Sequence, residues 1–126
     1  MSVRMRILHQ YGGWFAVLLN GLVGVWGLLI DRREKSPRRA FWVGVGVAIT
    51  ALAFQVALGV YLVAARDYEQ VGDQHVFYGI VIAFVLAFAY IYRAQLARRP
   101  AFRYGLFLLF MMGLGWRAIA TFGADF

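Results

Sequence analysis

Two histidines, His9 and His75, are the only imidazoles in the chain and the residues best suited to bind a metal. An imidazole nitrogen is a common ligand of haem iron, and a haem held by two histidines needs one on each face of the porphyrin. Two histidines at one depth on two helices of a bundle meet that requirement. The chain has no cysteine, which excludes thiol catalysis, iron–sulfur ligation and covalent c-type haem attachment. The histidines therefore favour a noncovalently bound haem b.

Four apolar segments must position these histidines: residues 9–30, 40–65, 75–92 and 102–121. The chain has 126 residues, of which 63% are hydrophobic and 15% charged, whereas an ordinary soluble domain carries about 25% charged residues. Long apolar segments without alternation predict membrane-spanning helices and not the strands of a barrel. Because the loops between them are short, the sequence predicts an all-α integral membrane protein, a single domain (1–126) forming a four-helix antiparallel bundle.

Most of the basic residues lie in two of the three loops. The loop after the first segment and the loop after the third segment contain Arg32, Arg33, Lys35, Arg38, Arg39, Arg93, Arg98, Arg99 and Arg103. By the positive-inside rule both loops are cytoplasmic, which predicts an N-out/C-out topology. The chain has a net charge of +7. We expect its basic loop residues to contact the anionic headgroups of the bilayer, and we expect no nucleic-acid partner. The preference for arginine over lysine is typical of a GC-rich bacterial genome, so we expect a multi-pass protein of the bacterial inner membrane.

Under this topology the first and third segments both begin outside, so His9 and His75 lie at the same membrane face. Gly12 or Gly13 follows one turn after His9 and Gly79 one turn after His75, and these glycines would let a flat ring lie against each helix backbone. Arg117, near the outer end of the fourth segment, is expected at the same face, together with Arg4, Arg6 and Arg66. Arginine pairs well with carboxylates such as haem propionates. The candidate haem site therefore consists of His9 and His75 as iron ligands and Arg117 as a propionate contact.

Structural interpretations of the same residues remain open. A histidine at a membrane interface is often a polar residue at its preferred depth, and Asp73 with Gln74 could simply begin the third helix. Glycines in membrane helices commonly serve close helix packing. Arg117 could extend to the headgroups or contact a quinone.

Other polar groups inside the segments are few, and no aspartate or glutamate lies within any of them. This argues against a small proton-coupled efflux pump, which depends on a buried carboxylate. Asn20, Thr50 and Gln55 are expected to form hydrogen bonds between helices, and Met111 and Met112 to pack rather than to bind iron. A helical stripe of Gly13, Ala16, Asn20 and Gly24 is predicted to face the bundle, with Val17 on another face.

One stretch resembles a known family. The segment Gln55-Val56-Ala57-Leu58-Gly59 is followed by a short outer loop and by His75-Val76-Phe77-Tyr78-Gly79, and a histidine opens the preceding helix at Leu8-His9-Gln10. Over residues 8–92 this pattern resembles one half of the haem A synthase family, in which the paired histidines bind haem. The family's acidic residue before the first histidine is absent here, and Gln10 stands where the family has arginine. The resemblance therefore implies haem binding by His9 and His75, without synthase activity.

Two functions from different classes follow. In the first, the protein is a small b-type haem-binding or electron-transfer subunit related to haem A synthase-like proteins, without independent catalytic activity. In the second, it is a catalytically silent accessory subunit of a larger membrane complex, such as a respiratory one, or part of a homo-oligomer. The resemblance alone also suggests a third function, a haem-delivery or assembly factor.

Overall fold

The computed structural model describes residues 2–65 and 72–125, and in these ranges every regular element is a helix. The elements are α1 (Ser2–Arg32), α2 (Arg39–Ala64), α3 (Asp73–Ile91), the short α4 (Arg93–Leu96) and α5 (Pro100–Ala120). The prediction of an all-α fold is confirmed, and α2, α3 and α5 agree with their predicted segments to within two residues. Helix α1 begins seven residues earlier than predicted, so His9 lies in the interior of the helix rather than at its start.

Three helices are long and apolar enough to cross a membrane, with stretches of 29 residues in α1, 26 in α2 and 19 in α3. At 1.5 Å per residue the shortest of these reaches about 29 Å, close to the hydrocarbon thickness of about 30 Å. Helix α5 is of similar length but less apolar, because Pro100, Arg103 and Arg117 lie within it. The fourth predicted span therefore stays a prediction.

Helix α1 ends in a turn that reverses the chain toward α2. Glu34 adopts a positive φ of 55°, the left-handed conformation in which glycine is common after a helix. The backbone N–H of Lys35 donates to the carbonyl of Ile30 at 3.2 Å, and that of Glu34 to Asp31 at 2.9 Å. These two bonds satisfy carbonyl groups that the end of a helix leaves without partners.

Helices α1 and α5 are in backbone-to-backbone contact at four small residues, two on each helix. A Cβ atom added to Gly105 would lie 2.9 Å from the carbonyl oxygen of Gly24, and one added to Gly27 would lie 2.7 Å from that of Ala101. No side chain larger than hydrogen fits at either glycine without moving a helix. The glycines here serve close packing, the structural alternative that the sequence left open.

Helices α1 and α2 are joined by a buried amide. The side-chain Nδ2 of Asn20 donates to the carbonyl of Ala16 at 2.8 Å and to that of Ala48, on α2, at 3.1 Å. The expected interhelical bond from Asn20 is therefore present, and Ala16 and Asn20 are fully buried as predicted. The prediction for Val17 is wrong: Val17 is 3% exposed, because α1 has α5 on one side as well as α2 on the other, and Val17 packs against Gly115 of α5.

Helix α3 is the least covered of the long helices. Among the described residues its backbone lies next to those of α2 and α5 but not next to that of α1, and only Ile82 of its described residues is fully buried. Ile82 packs with Ala16, Leu52 and Met111 in a core cluster to which all four long helices contribute. Helices α1 and α3 thus stand diagonally opposite each other, with α2 and α5 between them.

Candidate functional site

The two ends of the molecule differ in chemistry. At one end Arg99, which precedes α5, donates from Nε and Nη2 to the two carboxylate oxygens of Asp31 at 3.0 and 2.7 Å. These bonds join the end of α1 to the residue before α5. They also raise the pKa of Arg99 above its ordinary value. We call this the arginine end. The opposite end, where α1 and α3 begin and α5 finishes, contains both histidines, and we call it the histidine end.

At the histidine end the two imidazoles face each other from diagonally opposite helices. The ring centroids of His9 and His75 lie 6.1 Å apart, and the ring planes make an angle of 87°. Both side chains are half-buried. The sequence predicted that these residues share one end of the helices, and the structure places them there as each other's neighbours across the helix packing.

The ring of His75 is fixed by α5. Its Nδ1 lies 2.7 Å from the carbonyl oxygen of Ala118. A carbonyl only accepts hydrogen bonds, so Nδ1 must be the protonated nitrogen, and in the neutral ring the lone pair is then on Nε2. The ring of Phe122 lies 5.1 Å from that of His75 at an angle of 72° and closes another side of the imidazole.

The chain after α5 holds the start of α3, and with it His75. The carboxylate of Asp125 accepts from the backbone N–H of Asp73 at 3.0 Å, and the carbonyl of Ala124 accepts from that of Gln74 at 3.0 Å. The N–H of Gly72 donates to the carbonyl of Phe122 at 2.8 Å. These contacts cap the first turn of α3, where N–H groups have no partner within the helix and a negative charge is favourable. Asp73 does begin α3, and this role is compatible with a ligand role for His75.

The surroundings of His9 are set by α2. A Cβ atom on Gly59 would lie 3.1 Å from Cε1 of His9, so the absence of a side chain there gives the ring its space. One turn further in, the amide of Gln55 fills the space beside Gly12, since its Nε2 would be 2.1 Å from a Cβ at that position. The expectation of room for a cofactor is therefore wrong at Gly12, whereas a Cβ atom on Gly13 would meet its nearest atoms, in Gln55 and Ile119, only at 3.9 Å. Beside Gly79, by contrast, no atom lies within 4 Å of an added Cβ.

Arg117 is exposed at the histidine end of α5. Its Nε donates to the hydroxyl of Tyr78 at 3.2 Å, and its guanidinium carbon is 5.9 Å from the centre of that ring. Tyr78 follows His75 by one turn of α3, and Arg117 precedes Ala118. Arg117 therefore lies on the side of the histidine end where α3 and α5 meet, about one turn of α3 from His75. Arg66, expected at the same face, lies outside the described residues.

The other candidates pack or face outward. Met111 is fully buried in the core, and the sulfur of Met112 lies against Gly21, so neither methionine approaches the histidines as a ligand would. Thr50 is exposed. Within residues 2–65 and 72–125 no group of three or more His, Cys, Asp or Glu side chains is arranged to hold a metal ion. In this part of the chain the histidine pair is the arrangement that offers metal-binding nitrogens from two helices.

The sequence identifies the two histidines as candidate ligands but not the groups that position His75, which are the carbonyl of Ala118 and the carboxylate of Asp125. The Ala118 carbonyl is a backbone group, for which no residue type is diagnostic, and the Asp125 cap depends on the path of the chain after α5. The contact between Gly59 and His9 could have been suspected from the sequence, because Gly59 belongs to the Gln55–Gly59 stretch on which the family resemblance rests.

Comparisons with family models, with curated proteins and with solved structures find no match to this chain. The resemblance to the haem A synthase family therefore stays a prediction that rests on the residues quoted for it. The function of the chain must therefore be inferred from the geometry of the histidine end.

Proposed function

We propose that this protein is a small membrane protein that binds a b-type haem between His9 and His75 and transfers electrons through it. The observation that carries the proposal is the pair of imidazoles, 6.1 Å apart, contributed by two helices whose backbones are not adjacent among the described residues. Imidazoles from two helices of a bundle would be able to hold one haem iron between them.

The separation of the rings fits this role. A bond from a metal to an imidazole nitrogen is about 2 Å long, and the ring centre lies about 1 Å behind that nitrogen. Two axial imidazoles therefore have their centres about 6 Å apart, compared with the 6.1 Å between His9 and His75. The hydrogen bond from Nδ1 of His75 to Ala118 also fits, because histidines that bind metals commonly donate their other ring N–H to a carbonyl or carboxylate.

The residues around the pair support a flat, anionic cofactor. Gly79, one turn after His75, has no atom within 4 Å of an added Cβ, and the exposed guanidinium of Arg117 is suited to a propionate carboxylate. A haem with both axial positions filled by protein supplies one-electron transfer without binding a substrate at the iron. The protein's own residues would hold the ring, fix its orientation and balance its charge.

We further propose that α5 is a fourth span, which makes the chain a four-helix bundle with both termini on the non-cytoplasmic side of a bacterial inner membrane. Residues 104–116 of α5 carry no charge, and Arg103 and Arg117 at their two ends could extend to the headgroups. The contacts of α5 with α1 and α3 support a position in the same layer as these helices.

An optical spectrum of the detergent-purified protein tests the haem proposal. We expect reduced α and β bands of a six-coordinate low-spin haem, lost or converted in His9→Ala and in His75→Ala, because each variant opens one axial position. Gln10→Ala, at an exposed neighbour of His9, is the matched control and should keep the spectrum. Protein produced with ample haem that shows no such bands, or His75→Ala with unchanged bands, would refute the proposal.

A second function, a catalytically silent accessory subunit of a larger complex, is favoured by the surface of α3. Only 6% of its apolar stretch is buried inside the molecule, and Phe77, Phe84 and Phe88 are exposed on it. Lipid or another subunit would cover these side chains. Crosslinking in native membranes from a photoreactive residue at position 84 should give a defined protein adduct in this case and none if α3 faces lipid.

A further inference from the structure

A groove at the arginine end has an apolar floor and a polar mouth. It lies between α2, α3 and α5, has a volume of about 190 Å³, and is lined by Ile49, Leu86, Ala89, Tyr90, Arg93 and Tyr104. Ile49 lies ten residues into α2 from this end and Leu86 five residues before the end of α3, whereas Arg93 follows α3. A molecule that fits must combine an apolar portion with a polar group at one end.

Arg93 is held in place at the mouth of the groove. Its Nη1 donates to the carbonyl of Tyr90 at 2.9 Å, and its guanidinium carbon lies 4.4 Å from the centre of the Tyr90 ring. This one bond uses one of the five N–H donors of the guanidinium. The other donors make no further hydrogen bond among the described residues, so a fixed positive charge with unused donors faces the entrance.

Tyr104 supplies a second donor next to this charge. Its ring packs edge-on against Trp42 of α2, with 5.3 Å between the ring centres, and it lines the same groove as Arg93. A hydroxyl and a guanidinium that line one groove are suited to oxygens of one phosphate group.

The charge around the groove is strongly one-sided. The loops and helix ends at the arginine end carry nine basic residues and two acidic ones, Asp31 and Glu34. Of the neighbouring arginines, Arg99 is paired with Asp31, whereas Arg98 and Arg103 have no acidic partner among the described residues. A net negative ligand is therefore favoured over a zwitterionic one, whose cationic group would meet these arginines.

We propose that this groove binds an anionic phospholipid, with its phosphate at Arg93 and Tyr104 and the start of an acyl chain along Ile49, Leu86 and Ala89. Basic pockets between membrane helices are suited to such headgroups. The site is independent of the histidine pair, which lies at the other end of the molecule, and of any haem.

Native mass spectrometry of the detergent-purified protein tests the site by titration with phosphatidylglycerol and with phosphatidylcholine. We expect phosphatidylglycerol to bind more tightly, and Arg93→Gln to weaken it about fivefold to tenfold, the loss of one arginine near a headgroup. Tyr104→Phe keeps the ring on Trp42 and should weaken binding about twofold to fivefold, the loss of one hydrogen bond.

Arg98→Gln is the matched control, because it removes the same charge from the same loop at a residue that does not line the groove. An equal loss in Arg98→Gln would mean general charge attraction and would overturn the proposal, as would an unchanged affinity in Arg93→Gln. Should Arg93→Gln fold poorly, Arg93→Lys keeps the charge and should keep the preference for phosphatidylglycerol. Displacement of the lipid by glycerol 3-phosphate at equal concentration would show that the site takes phosphate alone and also refute it.

Discussion

The contact between α1 and α5 can be tested by one substitution made twice in the same helix. Gly105 of α5 lies against the backbone of α1, where an added Cβ would be 2.9 Å from the oxygen of Gly24 and 3.1 Å from the nitrogen of Leu28. Gly113, also in α5, has no atom within 4 Å of an added Cβ. Gly→Ala improves helix propensity equally at both sites, by about 1 kcal/mol, so the difference between the two variants measures packing alone.

The expected difference follows from the distances. Carbon atoms pack at about 3.5–4.0 Å, and a gap of 0.5–1 Å forfeits a quarter to a half of a contact's attraction. The alanine at 105 therefore moves α5 about half an ångström from α1 and weakens the neighbouring contact at Gly27 too. We expect Gly105→Ala to be less stable than Gly113→Ala by about 1–3 kcal/mol, the usual range for overpacking.

Equilibrium unfolding in mixed micelles, followed by far-ultraviolet circular dichroism, measures this difference. Both variants should keep the helix content of the wild type before unfolding. Stabilities of the two variants within about 0.5 kcal/mol of each other would refute the close contact of α1 and α5, because the overpacking cost of about 1 kcal/mol or more would then be absent.

Three further predictions address the rest of the molecule. Gly72→Ala should release residues 121–125 from α3 and speed hydrogen exchange at Gln74, because its Cβ would lie 2.3 Å from the oxygen of Ala124, whereas Gly123→Ala meets no atom within 4 Å and should not. Glu34→Gly should raise the free energy of unfolding by about 1 kcal/mol, because glycine adopts the positive φ of 55° without the cost borne by other residues; an unchanged or lower value would contradict the turn described for α1. Reporter fusions after Lys35 and after Arg98 should report the cytoplasm and a fusion after Phe126 the outside, and a cytoplasmic C-terminus would contradict the proposed topology.

The helices were predictable because long apolar segments leave the backbone few alternatives in a membrane. The start of α1 was missed because Arg4 and Arg6 lower hydropathy there without preventing a helix. The buried face of α1 was predicted only in part. Periodicity identified Ala16 and Asn20, but a helix with two neighbours buries a wider face than one stripe, and Val17 lies on the second side.

At the histidine end, the sequence predicted which residues meet and not what surrounds them. Charge asymmetry between loops placed His9 and His75 at one end, and that inference needs no side-chain packing. The space beside Gly12 depended instead on the register between α1 and α2. The register brings Gln55 against this glycine, and no single-sequence pattern specifies it.

The histidine pair depends on all four long helices, although only α1 and α3 carry a histidine. The backbones of these two helices are not adjacent among the described residues, so the two imidazoles meet in the space that α2 and α5 leave between them. Helix α2 provides a glycine, Gly59, where a side chain would push against His9. Helix α5 provides the carbonyl of Ala118 that fixes the ring of His75. Helix α5 therefore both anchors one imidazole through Ala118 and packs, through Gly105, against the backbone of the helix that carries the other.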